Sequence, residues 1–308
     1  MGMVPLQAQV AVPAPAGSVP AGSHGPLTKP PSLQSQDLNR SSLIDRATAI
    51  NDAKSTWHHP VEHEAWNVAE VSHVEPTHLK PRSLLDKAAY TSVKIIRWWF
   101  DLVSGYKWGR LTESKCLTRI VFLETIAGVP GMVAGMLRHT RSLRLMRRDH
   151  GWIHTLLEEA ENERMHLLSF LEMRKPGLPM RAFVFVSQGI FFNVFLLMYL
   201  VSPRFCHRLV GYIEEEAVRT YTHIIEEIDA GNVFVGKKAP AIAVSYWRLP
   251  QDASMRDMMV MVRADEAGHK LVNHTFADMH AQGLGDGVNP FLGQRIEPSS
   301  ETESPPRR

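Results

Sequence analysis

"RADEAGHKLVNHTFADMH" (263–280) decides how this chain folds. Glu266 and His269 are three residues apart, so on a helix they share a face with Val262, near Asn273. Gly268 lies between them, where it is worse than alanine by roughly 1 kcal/mol. The helical pattern nevertheless runs on through "LVNHTFADMH". An acid and an imidazole facing inward from a helix are costly unless they are paired or bound to a metal.

The surrounding chain has the same character. From Ser83 to about Gln282 it reads as successive helices over 83–103, 112–140, 151–174, 182–202, 205–230 and 254–281, with no period-2 strand. Breaks fall at Gly105, Gly151, "KPGLP" (175–179), "SPR" (202–204), Gly231 and "LPQDAS" (249–254), where Asp252 or Ser254 can cap the last helix. The fold class is all-α. Residues 83–282 form the helical domain, 1–82 an N-terminal segment and extended arm, and 283–308 a polar, Pro-rich tail.

Composition narrows the function. A net charge of +2 gives no field directed at nucleic acid. Cys116 and Cys206 cannot build a disulfide framework, which fits a reducing compartment. Residues 1–36 lack Asp and Glu, as an organelle transit peptide does, but Lys29 is their only Lys or Arg, as suits a disordered arm; both readings stand. Residues 182–201 carry no charge and are long enough to cross a bilayer. The apolar stretch 117–137 is interrupted by Arg119 and Glu124, and a basic run follows at Arg138, Arg141, Arg144, Arg147 and Arg148.

Glu-x-x-His occurs four times, at Glu70/His73, Glu75/His78, Glu163/His166 and Glu266/His269. Pro76 keeps the second copy out of a helix interior and the first lies in a short, Pro-bounded arm, so both read as surface residues. The other two sit in long helical patterns. Glu124 in "IVFLETIAGV" and Glu214 in "EEEAVRTY" are acids among apolar neighbours on two further helices. The order Glu, Glu-x-x-His, Glu, Glu-x-x-His on four helices is the ligand set of a carboxylate-bridged di-iron site in a ferritin-like four-helix bundle. Hard carboxylates bridge two metals, imidazoles complete the pair, and open positions remain for O₂. A single crossing by 182–201 would separate Glu163 and His166 from Glu214. The reading is therefore monotopic, with the apolar faces of 112–140 and 182–202 in one leaflet.

These stretches resemble the alternative oxidases, cyanide-insensitive quinol oxidases of mitochondria. The matching segments are "LETIAGVPGM" (123–132), "EAENERMHL" (159–167), "GYIEEEAVRTYT" (211–222) and "RADEAGHKLVNHTFADMH" (263–280), within about 83–290. The resemblance implies a homodimer of six-helix subunits on the matrix face of the inner membrane. It implies ubiquinol oxidation with reduction of O₂ to water, without proton pumping. Two irons per subunit would be held by Glu124, Glu163, His166, Glu214, Glu266 and His269. Tyr221, seven residues beyond Glu214, would be the essential tyrosine beside the irons. Arg119, Leu123, Glu124, Ala217, Thr220 and Tyr221 would form the quinol pocket, and Asn162, His207, Trp247 and Asp265 would orient the ligands. The chain departs from many members at Gly268 and Lys270, neither a ligand position, and has no Cys before Cys116, so no thiol or 2-oxo acid switch is expected. A di-iron oxygenase or hydroxylase acting on a membrane lipid is the competing reading.

Overall fold

A computed structural model describes residue 63, residues 67–104 and residues 109–292; expectations for residues 1–36 and for the tail from 297 lie outside the described residues. The helices are α1 (Val68–Val71), α2 (Leu84–Ser104), α3 (Glu113–Ala127), α4 (Val129–Leu145), α5 (Trp152–Met173), α6 (Leu178–Val201), α7 (Pro203–Asp229), α8 (Ala241–Tyr246) and α9 (Met255–Ala281). No strand occurs among the described residues beyond one isolated bridge, Lys238 to Ser254.

Local chemistry sets most boundaries. Ser254 caps α9, accepting from the backbone N–H of Asp257 while the Asp257 carboxylate accepts from the Ser254 N–H, a reciprocal capping box. Thr112 and Ser202 cap α3 and α7 one way only, their side-chain oxygens accepting from the N–H of Lys115 and Phe205. Helices α6 and α7 begin earlier than periodicity suggests, at Leu178 and Pro203, because Pro179 and Pro203 suit a first turn, where no N–H partner is needed.

The stretch expected as one helix over 112–140 divides at Gly128 into α3 and α4, with Pro130 in the first turn of α4. The division rests on tertiary packing. A Cβ added at Gly131 would lie 2.5 Å from the Leu156 carbonyl oxygen, and one at Gly128 would lie 3.1 Å from that of Ala160. The α3–α4 joint thus rides on the backbone of α5, which brings Glu124 towards Glu163.

Helix α9 packs along α7, α5 lies against α3 and α4, and α2 against α7. Every residue of α9 from Met258 to Lys270 is buried, including Arg263, Asp265 and Lys270. Its outer side is covered by the N-terminal arm. Arg263 Nη2 donates to the carbonyls of Val71 (3.3 Å) and Ser72 (2.7 Å), and Lys270 Nζ to Thr77 Oγ1 (2.7 Å). Packing also continues past residue 282: Asn289 bonds to the Gly151 carbonyl and Thr155, and Trp152 Nε1 donates to the Gly287 carbonyl.

Two segments are long and apolar enough to cross a membrane by length and composition, α3–α4 together (Glu113–Leu145) and α6 (Leu178–Val201). Only 11% of the most apolar stretch of α6 is buried, against 56% for α3–α4. Helix α2, which the sequence reading left out of the lipid-facing surface, exposes Ile95, Ile96, Trp98, Trp99 and Leu102. Stacked rings of Phe100, Phe122 and Phe183 link α2 to α6 across α3. The apolar outer surface therefore belongs to α2 and α6 more than to 112–140.

Candidate metal centre

Helices α3, α5, α7 and α9 each turn acids or imidazoles towards one buried volume. The ligand-capable atoms form two overlapping groups, Glu124–Glu163–His166–Glu266 and Glu163–Glu214–Glu266–His269, each with its atoms within 4.8 Å of one another. Glu163 and Glu266 belong to both. His166 Nδ1 lies 3.6 Å from Glu124 Oε2, 3.6 Å from Glu163 Oε2 and 3.5 Å from Glu266 Oε1. His269 Nδ1 lies 2.8 Å from Glu163 Oε1 and 3.6 Å from Glu266 Oε2. All six residues expected from sequence as ligands are thus gathered in one place, each no more than 9% exposed.

The donor set fits a pair of cations. Glu124 Oε2, both oxygens of Glu163, Glu266 Oε2, and Nδ1 of His166 and His269 are buried without a hydrogen bond, the close His269–Glu163 approach lacking hydrogen-bond geometry. Orphaned buried polar atoms are expensive, and six converging on one volume point to something that would bind them. Burial, then the neighbouring Glu163 and Glu266 charges, push Glu124 up to about 8 against the pull of His166. Burial, with Glu266 and Glu163, also holds Glu214 well above the carboxylate range. Burial would raise Glu163 too, but His166 and His269 outweigh it and hold that carboxyl low. Burial alone would lower both histidines; the carboxylates raise them instead. The acids crowd one another for want of positive charge, and metal ions of higher charge than two imidazoles would relieve this. With only N and O donors, the set suits iron or manganese in a helical bundle.

The family model for alternative oxidase matches residues 66–278. The mitochondrial alternative oxidase of Trypanosoma brucei brucei is 47% identical, over 87% of this chain and 82% of its own length. Those of Aspergillus niger and Emericella nidulans are 48% and 49% identical, each over 82% of this chain and 74% and 73% of their own lengths. The chain belongs to the alternative oxidase family.

The groups behind the candidate ligands form two networks. His166 Nε2 donates to Asp265 Oδ2 (3.1 Å), which also accepts from Trp247 Nε1 (2.9 Å) and Asn162 Nδ2 (3.1 Å). His207 sits further back. Its Nδ1 meets Asn273 Oδ1 (3.0 Å), and Asn273 Nδ2 donates to the His269 carbonyl (3.0 Å) and to Glu159. Burial drives His207 down to about 3, so it stays neutral, and pushes Glu159 up to about 7.

Tyr221 is buried and its hydroxyl donates to Glu124 Oε1. Burial, followed by the Glu124 charge, raises its phenol well above the ordinary value. Arg119 is 3% exposed, with Nη1 2.8 Å from Asp101 Oδ1 and its guanidinium over the Phe100 ring at 4.8 Å. Arg97 joins Asp101 to Thr220 Oγ1 (3.3 Å) and Glu216. Leu123 and Ala217 are half-buried. A cavity of about 900 Å³ opens elsewhere, between α3, α4, α5 and α6, lined by Glu124, Gly128, Arg164, Leu167, Gln188 and Phe192 among others. Of the residues expected at the quinol, only Glu124 reaches that cavity.

Sequence reasoning missed Glu159, Arg97, Asp101, His63 and His78. Glu159 stands one turn before Glu163, and Arg97 and Asp101 are four apart on α2, spacings that could have flagged them. Glu70 and His73 are exposed as expected. His78 is not a free surface residue: its Nδ1 lies 2.6 Å from the buried Glu215 Oε2.

Proposed function

We propose that this chain oxidises ubiquinol and reduces O₂ to water at a pair of iron ions, two quinols supplying the four electrons and four protons that one O₂ requires. The observation that carries the reading is the overlap of two buried carboxylate–histidine groups through Glu163 and Glu266. Glu124, Glu163, His166, Glu214, Glu266 and His269 would hold the pair, Glu163 and Glu266 being common to both groups. When bound, the iron pair accepts electrons from quinol and delivers them to O₂. The protein's own contribution is to place and protect that exchange. Tyr221 holds a proton on its hydroxyl against Glu124, and burial keeps it protonated at neutral pH. Arg119, oriented by Asp101, presents a donor for a quinol oxygen from the side of α3 where Leu123, Ala217, Thr220 and Tyr221 lie. Asp265 and Asn273 fix the ligand helices, and the buried surround excludes water, which limits release of reactive oxygen.

The exposed apolar sides of α2 and α6 support monotopic docking in one leaflet, from which quinol would enter near the Phe100–Phe122–Phe183 stack. Quinol protons released and O₂ protons consumed on one side give no pumping. The mitochondrial names of the relatives support a mitochondrial address. The proposal extends to a homodimer on the matrix side of the inner membrane, with residues 1–82 a transit peptide or disordered segment followed by the arm. The test is cyanide-resistant ubiquinol oxidation by the purified protein with its iron content measured. About two irons per chain are expected; fewer in an active preparation sinks the di-iron reading. Glu163→Ala or His166→Ala abolishes activity, whereas His73→Ala leaves it unchanged. Oxygenation of a lipid in place of quinol oxidation would favour the oxygenase reading.

A further inference from the structure

We propose that His63, delivered by the N-terminal arm, is a positioning residue for the metal centre, acting through Asp265 on His166. The inference rests on the di-iron reading above. His63 Nε2 lies 3.1 Å from Asp265 Oδ1, while Asp265 Oδ2 accepts from His166 Nε2 at 3.1 Å. On its far side His166 turns Nδ1 to the carboxylates of Glu124, Glu163 and Glu266. One line of contacts therefore runs from the arm to the metal volume.

Side-chain exposure is 12% for His63 and 3% for Asp265, so solvent competes little for their contact. The His63 ring tilts onto Tyr246 at 4.6 Å and meets Trp247 edge-on at 6.3 Å. The same two residues hold the other parts of the assembly: Trp247 donates to Asp265, and Asn162 donates to the Tyr246 oxygen (2.9 Å). The arm that carries His63 is fastened downstream by Arg263 and Lys270, and by Glu215, which accepts from His78 and from the Leu79 N–H (2.8 Å).

A carboxylate held through one oxygen alone can rotate about its Cβ–Cγ bond. Three donors converge on Oδ2, and a donor on Oδ1 fixes the plane, so Oδ2 stays aligned with the His166 N–H. It also shares the carboxylate's charge, which sets how strongly Asp265 makes the imidazole a donor to metal. His63 lies 103 positions before His166 in sequence, yet a single residue, Asp265, joins them in space.

Three variants separate this role from general docking of the arm. His63→Phe keeps a ring on Tyr246 and deletes the donor, His63→Gln keeps a donor, and His78→Phe loosens the arm without touching Asp265. The readouts are release of iron from the purified protein to a ferrous chelator, the electron paramagnetic resonance spectrum of the half-reduced iron pair, and the melting temperature of the iron-free protein. His63→Phe is expected to release iron about tenfold faster and to change the spectrum. His63→Gln and His78→Phe should retain the wild-type spectrum, and iron-free His63→Phe should melt no lower than iron-free His78→Phe. Wild-type release and spectrum in His63→Phe overturn the proposal, as does an equal change in His78→Phe. A wild-type protein that holds no iron overturns the metal reading and this inference with it.

Discussion

Asp265→Asn tests whether the two ends of the metal centre are supported separately. The substitution keeps the shape of the side chain, removes its charge and turns one oxygen into a donor. His166, Asn162 and Trp247 all donate to Oδ2, so the amide oxygen takes that position and the NH₂ turns towards His63. Hydrogen bonds to a charged acceptor contribute about 1 kcal/mol more than neutral ones. Of the three donors on Oδ2, only His166 is a proposed metal ligand. Loss of that share, with the loosened plane of the carboxylate, corresponds to a tenfold to roughly hundredfold loss of metal affinity, the usual range for a partner behind a ligand. The loss should be one-sided. His269 leans on Asn273 and Glu159, groups that bond neither to Asp265 nor to His166 in this structure. Iron release to a ferrous chelator from Asp265→Asn is therefore expected in two phases, one of wild-type rate and one faster by about ten- to a hundredfold. Single-phase release at the wild-type rate refutes the role given to Asp265. Equal acceleration of both irons refutes the separation of the two ends.

Tyr221→Phe deletes the hydroxyl that donates to Glu124 while leaving the ring beside Phe170, so iron content should hold and turnover should fall by about 10²–10⁴-fold, measured as quinol-dependent O₂ uptake. His207, lowered by burial from 6.5 to about 3, takes up a proton in the unfolded chain before it does in the folded one. Its contribution to stability is full above pH 6.5 and declines as pH falls towards 3, by up to about 1.4 kcal/mol per pH unit. His207→Asn should flatten the fall in melting temperature of the iron-free protein between pH 6.5 and 5; an unchanged slope contradicts the neutral assignment. Burial holds the thiols of Cys116 and Cys206 up at about 12, and both are 0% exposed, so a thiol-specific reagent at pH 8 should leave native protein unlabelled and its activity unaltered. Gly131→Ala places a Cβ 2.5 Å from the Leu156 carbonyl oxygen and should lower stability by about 1–3 kcal/mol, read as a drop in melting temperature.

The residues gathered at the centre were legible because a metal pair demands fixed residue types at helical spacing, and that demand leaves a local mark. Glu163 and His166 declare themselves within four residues, and the same pattern at Glu266 and His269 closes the set. The break at Gly128 left a mark as well, Pro130 two residues on, which the reading of one helix over 112–140 passed over. The close approach of Gly128 and Gly131 to the backbone of α5 is what sequence could not show. The outward face of α2 was hidden for a different reason: its apolar residues alternate with Arg97 and Asp101, whose charges are satisfied by Glu216 and Arg119 from other helices. Glu75-x-x-His78 was set aside on account of Pro76, a correct argument about helices. It says nothing of a residue in an arm whose partner, Glu215, lies 137 positions on.

The same distinction explains the charges of "RADEAGHK". Arg263 and Lys270, three before and four after Glu266, flank the face that Glu266 and His269 share on α9, and Asp265 borders its other edge. All five are buried, because the N-terminal arm covers those flanks. Arg263 Nη2 donates to the arm's carbonyls and Lys270 Nζ to Thr77, and Asp265 is shared between His166 and His63. A buried cation without such partners would cost several kcal/mol. The charges on the flanks of α9 therefore depend on the arm, as those of Glu266 and His269 would depend on the proposed metal pair. Removing residues 63–79 should expose Arg263 and Lys270 and loosen His166 together, although none of the proposed ligands lies in that segment.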